Sequence, residues 1–196
     1  RLDTDGKPGK VKAMGLDLKR SDTPKVMQDF MSELLLDVLA GSQREEIIEK
    51  IKEFKYAFKE RPGWEKGTPK RVNNLTKYTA EEKRLGKANM PGHVRAAMNW
   101  NTLRTMNGDK YSSQIMDGAK TIVCKLKPNP LGYTSVGYPT DETHLPQWFK
   151  DLPFDDSAME GTIVDQKIDN LLSVLNWNLG EATQTANTFD DLFSFE

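Results

Sequence analysis

The sequence predicts a mainly helical α+β fold with a small antiparallel sheet inserted after the middle of the chain. Apolar residues recur at helical spacing in the first third of the chain and again near its end. Between these regions, short alternating runs bounded by glycine and proline are typical of strands. The chain has 196 residues, which is long enough for one domain with its own core.

Two antiparallel helices are predicted over 24–40 and 43–60, after a short strand over 11–18. Apolar side chains repeat every three or four residues in both helices, so we expect the two stripes to pack mostly on each other. The end signals are a Thr23-Pro24 start, a stop at Gly41 and a capping box from Ser42 to Glu45.

The apolar pattern loosens over 64–91 and then resumes. A second capping signal runs from Thr79 to Glu82, and a helix is predicted over 91–106. Residues 114–130 then predict a strand, a turn at Asp117-Gly118 and a second strand, and 134–139 can supply a further strand.

A last long helix is predicted to follow the sheet. Either Asp155 or Asp156 is expected to cap it. Residues 180–187 then have the composition of a flexible linker. The apolar face of this helix is predicted to be Val164, Ile168, Leu171 and Leu175.

Composition argues against several classes of protein. No apolar run approaches the roughly 18 residues of a membrane span, and no signal peptide opens the chain. The single cysteine, Cys124, excludes an internal disulfide, and His93 and His144 cannot make a zinc-type cluster. No phosphate loop or histidine-centred triad can be assembled, which argues against a stand-alone hydrolase. We expect a soluble protein of a reducing cytoplasm, without a membrane partner and without a cofactor, metal or catalytic site of its own.

Charge is distributed unevenly along the chain. Residues 61–130 contain 14 Lys and Arg against 5 Asp and Glu, whereas residues 131–196 contain 2 against 12. The basic block predicts a surface for a polyanion; a solvated basic face without a partner is the alternative. Its basic, amide and aromatic side chains, with exposed amides near a helix start, are typical donors to phosphate oxygens. The residues concerned are Lys70, Arg71, Asn73, Asn74, Lys77, Tyr78, Lys87, Asn89, His93 and Arg95.

Residues 15–22, GLDLKRSD, resemble the Gly-Leu-Glu-x-x-Arg-Arg-Asp segment at the palm–thumb junction of family B DNA polymerases. Gly15, Leu16, Asp17, Arg20 and Asp22 fit that pattern in order, and Ser21 replaces the second arginine. The segments TPKVMQ, PKRVNNLTKY, PGHVR, DGAKTIVCKL and NPLG follow in the order of the thumb of T-even-like phage replicative polymerases, and the likeness runs over essentially the whole chain. The resemblance implies a terminal palm strand and junction over 1–23, a thumb domain over 24–179, and a linker with a clamp-binding tail over 180–196.

In that family the thumb grips the primer–template duplex, and the catalytic aspartates that hold Mg²⁺ lie in the palm, upstream of the thumb. The resemblance therefore implies one component of a DNA-directed DNA polymerase, joined to an upstream polypeptide with palm, fingers and exonuclease, in the cytoplasm of an infected bacterial host. The DNA-contacting residues expected from the basic pattern and the resemblance together are Gly15, Lys19, Arg20, Lys70, Arg71, Asn73, Asn74, Lys77, Lys87, His93, Arg95, Lys120, Lys125 and Lys127.

The last ten residues, NTFDDLFSFE, combine aromatic and acidic side chains. Docking on the chain's own core is one interpretation. The family's terminus binds a sliding clamp, and by this resemblance Leu192 and Phe193 are the anchors and Phe189 a flanking contact. Phe195 is an extra aromatic, and Asp191 stands where related tails often carry an apolar residue.

A function of another class stays open from the residues alone. The chain could be an accessory nucleic-acid-binding or clamp-adaptor protein without polymerase ancestry. The gene upstream of Arg1 discriminates between the two, since a palm with an Asp-Thr-Asp-like metal motif favours the polymerase. A start codon with no polymerase gene nearby favours the adaptor.

Overall fold

The computed structural model describes residue 18 and residues 20–175. Over these residues the chain is mainly helical and holds a three-stranded antiparallel sheet, so the predicted fold class is confirmed. The strand predicted over 11–18, except its last residue, and the segment 180–196 lie outside the described residues. No helix in the described part is long and apolar enough to cross a membrane.

Helices dominate both ends of the described chain, and the strands lie between them. A 3-10 turn at Gly63–Glu65 and a π-helical turn at Gly161–Asp165 interrupt the regular elements. In chain order the elements are α1 (Lys25–Leu39), α2 (Arg44–Lys59), β1 (Thr68–Arg71), α3 (Leu75–Leu85), α4 (Gly92–Met106), β2 (Lys120–Lys125), β3 (Ser135–Pro139), α5 (Gln147–Lys150), α6 (Asp156–Glu160) and α7 (Gln166–Val174).

The chain divides into two compact units. The helical unit contains the described residues up to Glu60 and those from Val164 onward, and it carries α1, α2 and α7. The sheet unit is Arg61–Ile163 and carries β1, β2 and β3. The basic block of the sequence, residues 61–130, therefore lies within the sheet unit.

In the helical unit, α1 and α2 pack on each other through their apolar stripes, as predicted. Phe30 and Phe54 stack across the pair with ring centroids 3.8 Å apart. Burial of each large apolar side chain contributes about 1.5–3 kcal/mol, so the stripes are the main stabilising term of the pair. The buried side chains of the two helices are Met27, Met31, Leu34, Leu35, Ile47, Ile51 and Phe58.

The start of α1 differs from the predicted capping. The helix begins at Lys25, after Pro24, and no side chain caps it. Thr23 is buried, and its hydroxyl finds no hydrogen-bond partner. The prediction that Thr23 caps this helix was wrong, since Pro24 occupies the N-cap position and the contact between Thr23 and the helix is a hydrogen bond from Gln28 Nε2 to the Thr23 carbonyl at 2.8 Å.

The start of α2 is a capping box placed one residue later than predicted. Gln43 is the N-cap, and its N–H donates to Glu46 Oε2 at 3.3 Å. Gln43 is the last residue with an extended backbone before the helix, so its side chain and not that of Ser42 faces the first turn. The prediction of a capping box from Ser42 to Glu45 was therefore wrong, although the predicted helix is present.

The sheet has the order β1–β2–β3, with both neighbouring pairs antiparallel. α4 covers one face and contacts mainly β3; Asn99 Nδ2 donates to the Ser135 carbonyl at 2.8 Å. Phe149 packs edge-to-face on Tyr138, a β3 residue, with ring centroids 5.3 Å apart. Gly67 precedes β1 and must be glycine, because a Cβ there would lie within 3 Å of side chains of β2.

The first strand of the hairpin predicted around Asp117-Gly118 is absent from the described part of the chain, so this part of the prediction was wrong. β2 forms as predicted, but its partners are β1 on one side and β3 on the other. The further strand predicted over 134–139 is confirmed as β3. β1 was not predicted because its sequence, TPKR, contains a proline and two basic residues. An edge strand tolerates both, since its outer side needs no ladder partner.

The capping signal predicted at Thr79 is also wrong. α3 already begins at Leu75, and the Thr79 hydroxyl donates to the Leu75 carbonyl inside the helix at 2.8 Å. A threonine hydroxyl that finds a carbonyl one turn back has no need to cap.

The last long helix is interrupted. Asp155 caps α6 as predicted, because its carboxylate accepts a hydrogen bond from the Ala158 N–H at 3.1 Å. The π-helical turn Gly161–Asp165 then separates α6 from α7. Ile163 and Val164, within this turn, are both buried.

Candidate nucleic-acid interface

Two basic side chains face each other where β1 ends and β2 begins. Arg71, the last residue of β1, is the antiparallel partner of Lys120, the first residue of β2. Directly opposite side chains lie on the same face with their Cβ atoms about 5 Å apart. Like charges on directly opposite residues are unfavourable for the ladder, so an anion bound beside them would reduce the repulsion.

Exposed amide and basic side chains continue from this point into α3. Asn73 and Asn74 follow β1, Lys77 lies in the first turn of α3, and all three are exposed. Asn74 has a φ of 62°, which makes it the non-glycine residue with positive φ among those described. This left-handed conformation turns the chain sharply out of the strand and into the helix.

A carboxylate from a distant part of the chain holds the start of α3. Asp117 Oδ1 accepts a hydrogen bond from the Leu75 N–H at 2.6 Å, and Asp117 Oδ2 accepts one from the Thr76 N–H at 3.2 Å. The Thr76 hydroxyl and then these N–H groups hold the pKa of Asp117 below its ordinary value. The Leu75 and Thr76 N–H groups are therefore already bonded within the protein.

Lys70 and His93 interact beside this segment. His93 is the second residue of α4 and is half-buried, as is Lys70 in β1. Burial, and then the charge of Lys70, lower the pKa of His93 from its ordinary value of 6.5. The imidazole is therefore neutral at pH 7, and a nearby phosphate would raise its pKa again.

These residues lie on β1 and just after it, at the start of β2 and near the starts of α3 and α4, and we call this group the basic edge. Within the described part of the chain, no carboxylate forms a salt bridge with Arg71, Lys77 or Lys120. The Arg71 guanidinium is instead oriented by a hydrogen bond to the Gly118 carbonyl at 2.9 Å. The basic edge comprises Lys70, Arg71, Asn73, Asn74, Lys77, His93 and Lys120.

Arg95 was predicted in the same set but is held inside the sheet unit. Its Nη1 donates to both carboxylate oxygens of Glu82, at 2.7 and 2.8 Å, and its Nη2 donates to the Ala88 carbonyl at 3.2 Å. The guanidinium thus ties α3, the following loop and α4 together. Its donors are committed to the protein in this structure.

At the other end of β2, which finishes at Lys125, one of the nearby lysines is buried and paired with carboxylates. Lys125, its last residue, donates from Nζ to Thr162 Oγ1 at 3.1 Å, and Lys127 is exposed two residues farther on. Near this end Lys66 is buried, with its ammonium 2.7 Å from Glu160 Oε1 and 3.4 Å from Asp156 Oδ1. A six-residue strand is about 17 Å long, so this end is well separated from the basic edge.

The remaining predicted contacts are scattered. Lys87 is exposed in the loop between α3 and α4. Arg20 belongs to the helical unit, where its Nε lies 3.8 Å from Asp22 Oδ1. Gly15, Lys19 and the clamp-binding set Phe189, Asp191, Leu192, Phe193 and Phe195 lie outside the described residues.

The described part of the chain offers neither a cluster of metal-ligating side chains nor a reactive thiol. No group of three or more histidine, cysteine, aspartate or glutamate side chains there is placed to hold a metal ion. Cys124 is buried, and burial raises the pKa of its thiol. A thiol that stays protonated at neutral pH is a poor nucleophile.

Sequence reasoning missed the role of Asp117. It was assigned to a hairpin turn, whereas the residues it holds are 41 and 42 positions away. No local pattern connects an aspartate with a helix start at that separation. The Glu82–Arg95 pair was missed for a similar reason, since its two residues lie on different helices.

No family model matches the chain. The chain is similar to the DNA-directed DNA polymerase of Enterobacteria phage T4, with 27% identity over 138 residues. The aligned region covers 70% of this chain but only 15% of that polymerase. This similarity supports a polymerase-related origin for the chain.

Proposed function

We propose that this chain is the thumb-type, C-terminal portion of a phage replicative DNA polymerase of family B. In this proposal the basic edge holds the backbone of the primer–template duplex, and the acidic tail tethers the enzyme to a sliding clamp. The similarity to a phage DNA polymerase supports the origin, and the ordered family segments of the sequence support the thumb assignment.

One observation carries the DNA-binding part of the proposal. Arg71 and Lys120 are held as direct neighbours without a carboxylate partner in the described part of the chain, and Asn73, Asn74 and Lys77 are exposed beside them. Lysine, arginine and asparagine side chains are typical donors to phosphate oxygens. The phosphates of a duplex backbone carry regularly spaced negative charges, which complement the positive charges of the basic edge.

The proposed binding does not depend on DNA sequence. The basic edge offers ammonium, guanidinium and amide donors, the groups that typically contact phosphate oxygens. Contacts to phosphates position a protein on a duplex without selecting bases, and a replicative enzyme must move over every sequence. Affinity should therefore depend steeply on salt, with a log–log slope of about −0.9 for each phosphate engaged.

The chemistry of nucleotide addition is assigned to the upstream polypeptide. Mg²⁺ held by palm aspartates would stabilise the charge that develops during nucleotidyl transfer. The described residues of this chain offer no such group of carboxylates. The role proposed for this chain is to hold the duplex so that the primer end stays in place.

A titration of a primer–template duplex into the full 196-residue chain tests the proposal, carried out at several salt concentrations between 50 and 300 mM. We expect binding that weakens steeply with salt and is equal for duplexes of unrelated sequence. The matched control is a chain with Lys77→Ala and Lys120→Ala. Salt-insensitive binding, or no binding even when the upstream polypeptide is added, would refute the proposal.

The tail is tested separately in the whole enzyme. Deleting residues 188–196 should leave duplex binding unchanged but abolish clamp-dependent processive synthesis. The reason is that a short apolar anchor binds weakly alone and gains effect through the high effective concentration created when both proteins share one DNA. If the deletion instead unfolds the chain, the tail docks on its own core and the clamp assignment is wrong.

A further inference from the structure

The turn at residues 117–119 is bonded to the segment that carries most of the basic edge. Besides the two hydrogen bonds that Asp117 accepts, the Gly118 N–H donates to the Val72 carbonyl at 2.6 Å. The Val72 N–H in turn donates to the Ala119 carbonyl at 2.9 Å. Together with the Arg71–Gly118 bond, these contacts attach residues 71–76 to a turn more than 40 positions away.

The geometry around Asp117 is that of an anion held by a concave backbone. Asn74 is left-handed, and the N–H groups of the next two residues point at the two carboxylate oxygens of Asp117. A left-handed residue followed by helical residues turns successive N–H groups toward one point, which favours an anion there. In this structure the anion at that point is the carboxylate of Asp117.

We propose that Asp117 is a positioning residue for DNA binding, because its carboxylate fixes the conformation in which Asn73, Asn74 and Lys77 are presented to the phosphates. This inference rests on the proposed function. Asp117 itself contacts no phosphate in the proposal, since its oxygens are bonded to the start of α3.

The sign of a mutational effect distinguishes positioning from simple electrostatics. Asp117 places a negative charge beside a surface that binds a polyanion. If charge alone mattered, removing it would strengthen DNA binding. If Asp117 positions the donors, its removal lets residues 73–77 move, and binding weakens even though the charge has become more favourable.

The experiment compares Asp117→Ala, Asp117→Asn and wild type in the full chain, well below the midpoint of thermal unfolding of each. We expect Asp117→Ala to bind the duplex about tenfold more weakly, with a salt slope shallower by about one phosphate contact. Asp117→Asn keeps one acceptor oxygen, so its affinity should fall between the other two. Unchanged or tighter binding by Asp117→Ala would overturn the inference.

Asp109 provides the matched control. Its carboxylate accepts hydrogen bonds from Ser112 Oγ at 2.6 Å, Trp148 Nε1 at 2.8 Å and the Tyr111 N–H at 2.9 Å, but it lies in a different loop. Asp109→Ala removes the same charge from the same unit, together with more hydrogen bonds than Asp117→Ala does. It should reduce stability without weakening duplex binding by the folded protein.

A second measurement keeps the inference testable if the chain binds no duplex. Amide hydrogen exchange at Leu75 and Thr76 reports the bonds to Asp117 directly. In Asp117→Ala these two amides should exchange at least tenfold faster, while amides in β2 keep their protection. Equal protection in mutant and wild type would show that Asp117 does not position this segment, whatever the DNA-binding result.

Discussion

Basic residues lie near both ends of β2, but their surroundings differ. At the Lys120 end, Lys120 and Arg71 are exposed, and no carboxylate pairs with either in the described part of the chain. At the Lys125 end, Lys125 and Lys127 are also exposed, but Lys66 is buried between Glu160 and Asp156, and Lys125 donates to a threonine hydroxyl. The fold therefore pairs some basic side chains internally and leaves others exposed, which the sequence alone does not show.

The largest expected effect is at the Lys125 end. Lys66→Ala removes the partner of two carboxylates and leaves a cavity, so the free energy of unfolding should fall by about 3 kcal/mol. This is the lower end of the range for breaking a buried pair, because Glu160 and Asp156 remain 23% and 48% exposed. Urea unfolding of the full chain measures it. Lys66→Met is the control that keeps most of the side-chain volume, and a loss below about 0.5 kcal/mol for both variants would contradict a structural role.

A charge-removal experiment at both ends sharpens the comparison. The double change Lys77→Ala with Lys120→Ala should weaken duplex binding about tenfold at physiological salt and make the salt slope shallower by about two. The matched change Lys125→Ala with Lys127→Ala removes the same charge from the other end and should have a clearly smaller effect. Equal effects from both pairs would mean that the net charge of the unit, and not the basic edge, governs binding.

A third prediction concerns the ladder beneath the basic edge. Thr121 is buried and its hydroxyl donates to the Lys70 carbonyl at 3.0 Å, so Thr121→Val should lower the free energy of unfolding by about 1 kcal/mol. Thr140 makes a similar bond to the Lys120 carbonyl at 3.2 Å but is exposed. Thr140→Val is the control and should change stability by less than about 0.5 kcal/mol, because water replaces the lost donor. A reversed order would show that burial does not set the strength of these bonds.

The smallest expected effect is a pH dependence of duplex binding through His93. Burial and the charge of Lys70 lower its pKa in the folded chain, so the imidazole is neutral at pH 7. A bound phosphate favours the protonated form and raises this pKa, so binding takes up a proton and tightens as the pH falls from 8 to 6. We expect about a two- to threefold gain in affinity over that range, measured by titration at constant ionic strength. The gain should be absent in His93→Gln; its persistence there would assign it to another group.

Local sequence patterns predicted the elements whose stability is local. α1, α2 and α4 were predicted because their apolar spacing and end signals lie within each helix. Their exact starts were less predictable, as Thr23 and Ser42 show, because whether a side chain caps depends on the backbone angle of one residue. β1 could not be predicted, since a four-residue edge strand with a proline gains its order from β2, about 50 residues later.

The candidate site could likewise be predicted only in part from the sequence. Sequence reasoning selected Lys70, Arg71, Asn73, Asn74 and Lys77 as donors; they lie on β1, just after it or in the first turn of α3, and their contact with DNA stays a prediction. It also selected Arg95, whose guanidinium is committed to Glu82. The assignment of the tail to a sliding clamp stays a prediction, because residues 189–195 lie outside the described part of the chain.

The sequence by itself determined the fold class, most of the helices and the existence of a strongly basic block, because spacing and charge are properties of neighbouring residues. Only the tertiary structure decided which basic side chains form a surface and which are paired internally. It also gave Asp117 its place at the start of α3, 42 residues from Leu75. Antiparallel pairing and hydrogen bonding across such separations depend on how the whole unit folds, so no short stretch of the chain encodes them.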